Sequence, residues 1–170
     1  MNASVRRSGA RPWAWMLLAA AVVVGLDQLT KALVIDSIQM GERNEVLPFL
    51  DLVHVQNDGV AFGFLGDSSQ GLVLTVTLAA LVLVVGWFAF NRDRPFAWLA
   101  VGLLAGGAIG NLIDRLARDG VIDFIDFPAW PSFNVADIAI TLGAVTLALV
   151  ALTGPETDED TDAAPERAST

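Results

Sequence analysis

Cysteine is absent from all 170 residues, and histidine occurs once, as His54. Without cysteine there is no disulfide to staple a loop, no thiol nucleophile, and no side chain of that type to carry a lipid. A zinc site would lack its usual ligands, and no HExxH occurs. A GxSxG elbow is missing, as is a glycine-rich loop followed by lysine, so serine-hydrolase and phosphate-loop chemistry have no footing. Charge is scarce as well. Charged residues are 17% of the chain, 10 basic against 19 acidic, for a net charge of −9. Much of that excess is local, because residues 154–170 hold Glu156, Asp158, Glu159, Asp160, Asp162 and Glu166 against Arg167 alone. Rich in Thr, Ala and Pro and without an apolar period, 154–170 reads as an acidic disordered tail with no chemistry, and no nucleic-acid partner is expected.

What the chain has instead is hydrocarbon. Hydrophobic residues are 54% of the sequence and the mean hydropathy is +0.57. Four runs, at about 13–35, 71–90, 96–113 and 135–152, approach the roughly 20 apolar residues that a membrane-spanning helix needs. The predicted fold class is an all-α membrane protein: a four-helix transmembrane domain over 13–153, between a basic segment 1–12 and the tail. The first run could imitate a cleaved signal peptide at Ala19-Ala20-Ala21, but it continues apolar through Val24 to Leu26, which fits a retained helix. Arg6, Arg7 and Arg11 precede the first run, and Arg92 and Arg94 fill the turn between the second and third. Basic residues are retained on the cytoplasmic side, so both termini are expected there, with the connections 36–70 and 114–134 facing outward.

These two connections carry the informative residues. Leu50–Val55 is rich in branched side chains and reads as a strand, with Asn57-Asp58-Gly59 as a turn signal after it, giving a hairpin or partial sheet at the membrane surface. In the second connection Phe124, Phe127, Trp130 and Phe133 have the character of an interfacial belt, and Pro128 and Pro131 oppose a helix. His54 is expected at the surface or the membrane interface.

Asp123, in GVIDF, and Asp137, in FNVAD, stand beside apolar runs where an ionised carboxylate is costly, which marks them for use. Asp137 has a second reading: Asn134-Val135-Ala136-Asp137 makes a good helix cap. Asp123 has no cation nearby in sequence and no capping role, so it needs a partner in space. If the two face each other they cannot both ionise in a water-poor site, and the pair holds one acid and one base. The dipole of the fourth helix favours charge on Asp137, and the apolar neighbours of Asp123 favour the proton there. Such a dyad can activate a water against an amide carbonyl and protonate the departing nitrogen.

Other polar residues support two accounts each. Asp27 and Lys31 are four apart on one helical face, which suits an ion pair at a helix end with Lys31 reaching to the headgroups; the deeper Asp27 could instead orient groups in a site. Gly102, Gly106 and Gly110 recur every four residues, the spacing of close helix packing, with Gly107 off that stripe. Asn111 and Arg115 stand one turn apart at the outer end of the third run; Arg115 either snorkels or pairs with an outward acid, or the two are fixed donors beside the aspartates. Asp114 and Arg118 form a further four-apart pair.

DQLTK at 27–31, NDGVAFGF at 57–64, GGAIGNLIDR at 106–115, GVIDFIDF at 120–127 and FNVADIAI at 133–140 resemble, in order, the signature blocks of the lipoprotein signal peptidases, or signal peptidase II. The resemblance covers about 15–150. It implies an intramembrane aspartyl endopeptidase of the bacterial cytoplasmic membrane that needs no cofactor or metal. Its substrates would be prolipoproteins whose lipobox cysteine already carries diacylglycerol, cut just before that cysteine, with the lipid chains left among the membrane lipids. It implies catalytic roles for Asp123 and Asp137, site-shaping or substrate-binding roles for Asp27, Asn57, Gly107, Asn111, Arg115 and Asn134, and a structural role for Asp114. A small extracytoplasmic β-sheet, an interfacial helix in the first outward connection and sensitivity to the cyclic peptide globomycin come with it. Asp58 departs from the family, where a neutral or aromatic residue is usual. A proton-coupled carrier and a non-enzymatic assembly subunit are the rival classes; the first suits buried acids but would bring internal repeats, and the second suits the glycine stripe.

Overall fold

The computed structural model describes residues 9–57 and 68–153. Four helices, α1 (Ala10–Ser37), α2 (Ser68–Asn91), α3 (Ala97–Arg118) and α4 (Val135–Leu152), are joined by strands β1 (Arg43–Leu47) and β2 (Leu50–Asn57) in the first long connection and β3 (Val121–Asp126) in the second. All four helices are long and apolar enough to cross a membrane. The third runs beyond the expected 113 to Arg118, because Asn111, Asp114 and Arg115 face partners in the protein rather than water, as described below. The acidic tail, residues 1–8, Asp58 and the rest of 58–67 lie outside the described residues. Any interfacial helix in the first connection would also fall there, since 38–57 contains only the two strands.

α3 is the axis of the bundle. It packs against both α1 and α4 and more sparsely against α2, with 56% of its apolar window buried, against 6% for α2. The glycine stripe explains the closeness. A Cβ on Gly102 would sit 2.7 Å from the Ala19 Cβ and 2.9 Å from the Met16 carbonyl, and one on Gly106 2.7 Å from the Val23 Cβ. α1 answers with one inward stripe: Met16, Ala20, Val23, Asp27, Lys31 and Val34. Gly107, off the stripe, faces the other way, and a Cβ there would collide with the Ala136 carbonyl of α4. The alternation of the two glycine faces lets α3 touch a helix on each side.

The strands form one antiparallel sheet in the order β1-β2-β3. The expected strand at 50–55 is β2, and β1 pairs with it from upstream across a turn at Pro48-Phe49; the turn signal at Asp58-Gly59 lies outside the described residues. β3, expected as an irregular belt segment, is the third strand, with Val55 opposite Asp123 and Asn57 opposite Val121. Phe124 belongs to the core, not to a belt. It is buried against Val34 and Ile38 at the end of α1, anchoring the sheet to the bundle. His54 is buried rather than at the surface, with its Nδ1 2.8 Å from the Ile38 carbonyl oxygen.

Candidate active site

Asp123 reaches its position through a short link. α3 ends at Arg118, Asp119 adopts a left-handed conformation (φ 60°) that aspartate tolerates, and β3 starts two residues later. The register of β3 on β2 brings Asn57 to Asp123, and the Asn57 amide donates to Oδ2 at 3.0 Å. After β3 the chain makes a closed excursion: the Phe124 and Ile125 N–H groups donate to the Phe133 carbonyl, and the Phe133 N–H donates back to Ile125. Asp126 accepts from Ser132 within it, and the Phe127 and Phe133 rings stack. Asn134 is the next residue, so closure of this loop puts it beside Asp123, where its Nδ2 donates to Oδ1 at 2.7 Å.

Asn134 also caps α4. Its Oδ1 accepts from the Asp137 N–H at 3.0 Å, and Asp137 Oδ2 accepts from the Asn134 N–H at 3.2 Å, a reciprocal capping box. The cap reading of Asp137 is therefore correct as structure, and it leaves Oδ1, which accepts from the Asn111 amide at 2.8 Å. One residue, Asn134, touches both carboxylates, one through its side chain and the other through its backbone. Asp123 is 2% exposed, whereas Asp137 is half-buried. Burial pushes the Asp123 carboxyl up from an ordinary 3.8 to about 6; the nearby negative charge of Asp137 adds to this, and the amides of Asn57 and Asn134 oppose it.

Beneath the pair lies a charge cluster that the sequence reading placed differently. Lys31 does not extend to the headgroups: it is fully buried, 2.8 Å from Asp27 Oδ2 and 2.7 Å from Asp114 Oδ2. Packing of α1 on the glycine face of α3 turns Lys31 inward, where two carboxylates compensate its burial. Asp27 additionally accepts from the Ala136 N–H in the first turn of α4 at 3.0 Å, and Asp114 accepts from the Ile122 N–H of β3 at 3.2 Å and from Arg118 at 2.7 Å. Each acid thus fixes an element that carries one member of the pair: Asp27 holds α4, and Asp114 holds β3. Gln28 donates to Asp27, Asp114 and the Gly110 carbonyl. Lys31 and Gln28 were not singled out as site residues, although the polar run Asp27-Gln28 and Thr30-Lys31 closing an apolar helix was a signal for them, and Asp114 has the structural place expected of it. Among the described residues, every buried side-chain N or O atom has a hydrogen-bond partner, and no group of three or more acids or histidines is placed to hold a metal ion.

Asp137, Asn111 and Arg115 form the polar end of a cavity of about 360 Å³ between α2, α3 and α4. Its other walls are apolar except for Thr77, from Val76, Ala80, Leu81 and Val84 on α2 to Leu104, Ala108 and Ile140. Arg115 is half-buried and donates to the Asn111 carbonyl at 3.3 Å, near enough to Asp137 and Asp123 for their charges to act on it. Asn57, Asn111 and Asn134 therefore touch the two aspartates, Arg115 stands beside Asn111, and Asp27 reaches only the backbone of α4 next to Asp137. Gly107 lies at the α3–α4 crossing behind Asp137 rather than among the polar groups.

A bundle of four helices able to cross a membrane, with Asp137 at the polar end of a largely apolar cleft and Asp123 buried nearby, defines a multi-pass membrane protein. The comparisons agree with that class. The family model described as signal peptidase (SPase) II matches residues 19–153. The chain is 40% identical to the lipoprotein signal peptidase of Moorella thermoacetica over 132 residues, 77% of this chain and 88% of that one. It is 45% identical to that of an Azoarcus species over 137 residues, 76% and 77% of the two chains. A bacterial membrane enzyme solved by the in meso method at 1.9 Å superposes with a TM-score of 0.75 at 31% identity, covering 84% of this chain and 95% of that one. The chain belongs to the signal peptidase II family.

Proposed function

We propose that this protein removes signal peptides from prolipoproteins as an intramembrane aspartyl endopeptidase, with Asp123 and Asp137 as its catalytic pair. Family membership carries the reaction. The observation that supports the catalytic type is the shared grip of Asn134 on both carboxylates, which holds an acid from a strand and an acid from a helix cap around one point.

In this reading Asp137 is the base. It takes a proton from a water lying between the two acids, and the hydroxide attacks the carbonyl carbon of the scissile peptide. Asp123, protonated near pH 6 by its burial, gives its proton to the leaving nitrogen as the C–N bond breaks, and a new carboxyl and a new amine result. Arg115 and Asn111, at the mouth of the cleft, are the donors for the carbonyl oxygen as charge develops. Asn57 and Asn134 hold Asp123 in place, Asp27 holds α4, and Gly107 allows α4 to approach α3.

The apolar cleft along α2 suits a signal helix that arrives sideways from the bilayer, and the diacylglycerol of the modified cysteine need not leave the lipid. Cleavage just before that cysteine, the bacterial cytoplasmic membrane as location, cytoplasmic termini with the site near the outer face, no cofactor, and inhibition by globomycin-type peptides complete the reading. The decisive measurement is shortening of a lipid-modified precursor by purified protein in detergent. Asp123→Asn and Asp137→Asn should each lower the rate by about 10³-fold. Cleavage left intact by both substitutions would overturn the aspartyl reading.

A further inference from the structure

We propose that Lys31 is a positioning residue for the aspartate pair: its ammonium decides which way the Asn111 carboxamide points, and so delivers the Asn111 amide donor to Asp137. This rests on the reading of Asp123 and Asp137 as the catalytic pair. The geometry uses every hydrogen on the ammonium group. Lys31 Nζ is 2.8 Å from Asp27 Oδ2, 2.7 Å from Asp114 Oδ2 and 3.0 Å from Asn111 Oδ1, three acceptors for three donors. A lysine ammonium has nothing to accept with, so the group facing it must be an oxygen. An asparagine side chain has one oxygen and one NH2, and fixing the oxygen fixes the other end.

The other end of Asn111 is at Asp137. Nδ2 donates to Asp137 Oδ1 at 2.8 Å. Turned over, the same carboxamide would set NH2 against a fully buried ammonium and oxygen against carboxylate, two repulsive contacts. A second donor enforces the same sense: Asn134 Nδ2 donates to Asn111 Oδ1 at 3.1 Å while it also donates to Asp123 Oδ1. The orientation signal therefore runs from Lys31 through Asn111 to Asp137, with a branch through Asn134 to Asp123. Lys31 is not a proton donor to the reaction. It lies behind Asn111, and Asp27 and Asp114 with Arg118 leave the cluster as two acids and two bases.

A buried ion pair also supports the fold, so activity loss alone does not separate the two roles. The discriminating measurement is a double-mutant cycle on the full chain in detergent, with a lipid-modified precursor as substrate and kcat and KM measured separately. Lys31→Met should lower kcat by roughly 100-fold, with KM within about twofold of wild type, since misorientation of a catalytic group costs rate rather than binding. On an Asn111→Ala background, the same Lys31→Met change should cost less than about threefold, because there is no carboxamide left to orient. Equal fold-losses on both backgrounds would make Lys31 merely structural and overturn the inference. If Lys31→Met does not fold, combining it with Asp27→Asn removes the unpaired charge and leaves Asp114 paired with Arg118. A kcat close to wild type in that protein overturns the inference, and a loss that vanishes on the Asn111→Ala background supports it. Asp137→Asn is run in parallel: retained cleavage there would sink the catalytic pair itself, whereas an inactive Asp137→Asn with an additive cycle sinks only the role of Lys31.

Discussion

The two sides of α3 are built on opposite terms. Toward α1 and the sheet it meets a tightly packed face, where added Cβ atoms on Gly102 and Gly106 would collide with backbone and where the buried Asp27, Lys31 and Asp114 are satisfied by one another and by the partly buried Gln28 and Arg118. Toward α2 it meets a thin wall, a cavity and almost no burial. Asp137, on α4, stands where these regions meet, with its Oδ1 tied to the packed side through Asn111 and the cavity on its other flank. The contrast divides the work of a membrane protease. Chemistry needs groups held to fractions of an ångström, whereas the lateral entry of a signal helix proposed above needs a wall that yields.

The sharpest way to break this comparison is to remove a charge from the packed side. Asp114 pairs with Lys31 and Arg118 and accepts from β3, so Asp114→Ala leaves a buried ammonium with reduced compensation and should cost about 3–5 kcal/mol. Leu78→Ala on the lipid-facing surface of α2 should stay within about 0.5 kcal/mol. Thermal unfolding in detergent compares the two. Similar losses would mean that the two sides of α3 are not distinct in rigidity.

A smaller effect belongs to Asp123, which stands on the packed side yet is unfavourably ionised. Its folded value of about 6 lies above the ordinary 3.8, so the folded state binds the proton more tightly. That contribution to stability is fully present below about pH 3.8 and is lost as pH rises through 6. The difference in stability between Asp123→Asn and wild type should therefore shift in favour of the variant between pH 4 and 7, by at most about 3 kcal/mol. Melting curves of both proteins across that range test it, and a pH-independent difference would contradict the burial of this carboxyl. Activity follows the same group: with Asp123 as the acid, kcat/KM of the wild type should fall as pH rises through about 6.

How much of this was legible before the fold was known differs from residue to residue. α4 was readable to its ends, because Asn134 and Asp137 punctuate an otherwise uninterrupted apolar run. The strand at 50–55 was readable from its branched residues, but β1 was not: RNEVL shows no alternation, and all five of its residues are exposed. β3 was hidden by its own burial, since a strand covered on both faces loses the period of two and looks like any short apolar run. The polar residues around the aspartates stood out by their cost in hydrocarbon. The inward direction of Lys31 did not. α1 is apolar on nearly every side, so its sequence does not say which stripe faces the protein, and only the glycine face of α3 decides that Asp27 and Lys31 continue the line of Met16, Ala20 and Val23.

Glycine to alanine substitutions read the same asymmetry at its finest scale. Gly86 of α2 has no atom within 4 Å of the place a Cβ would occupy. Alanine there meets only lipid or empty space, and because it loses less backbone entropy in a helix it should stabilise the protein by about 0.5–1 kcal/mol. Gly106 of α3 is the matched opposite: its Cβ would lie 2.8 Å from the Ala20 carbonyl oxygen and 2.7 Å from the Val23 Cβ, and helix backbones cannot give way singly. Gly106→Ala should push α1 outward and lower stability by about 1–3 kcal/mol. It should also loosen Asp27 and Lys31, which sit about one and two turns beyond Val23 along α1, so the activity of this variant should fall with its stability. Gly86→Ala should leave activity where it was, because nothing that holds the aspartates depends on how α2 packs. A loss of cleavage in Gly86→Ala without a loss of stability would instead show that the thin wall takes part in catalysis.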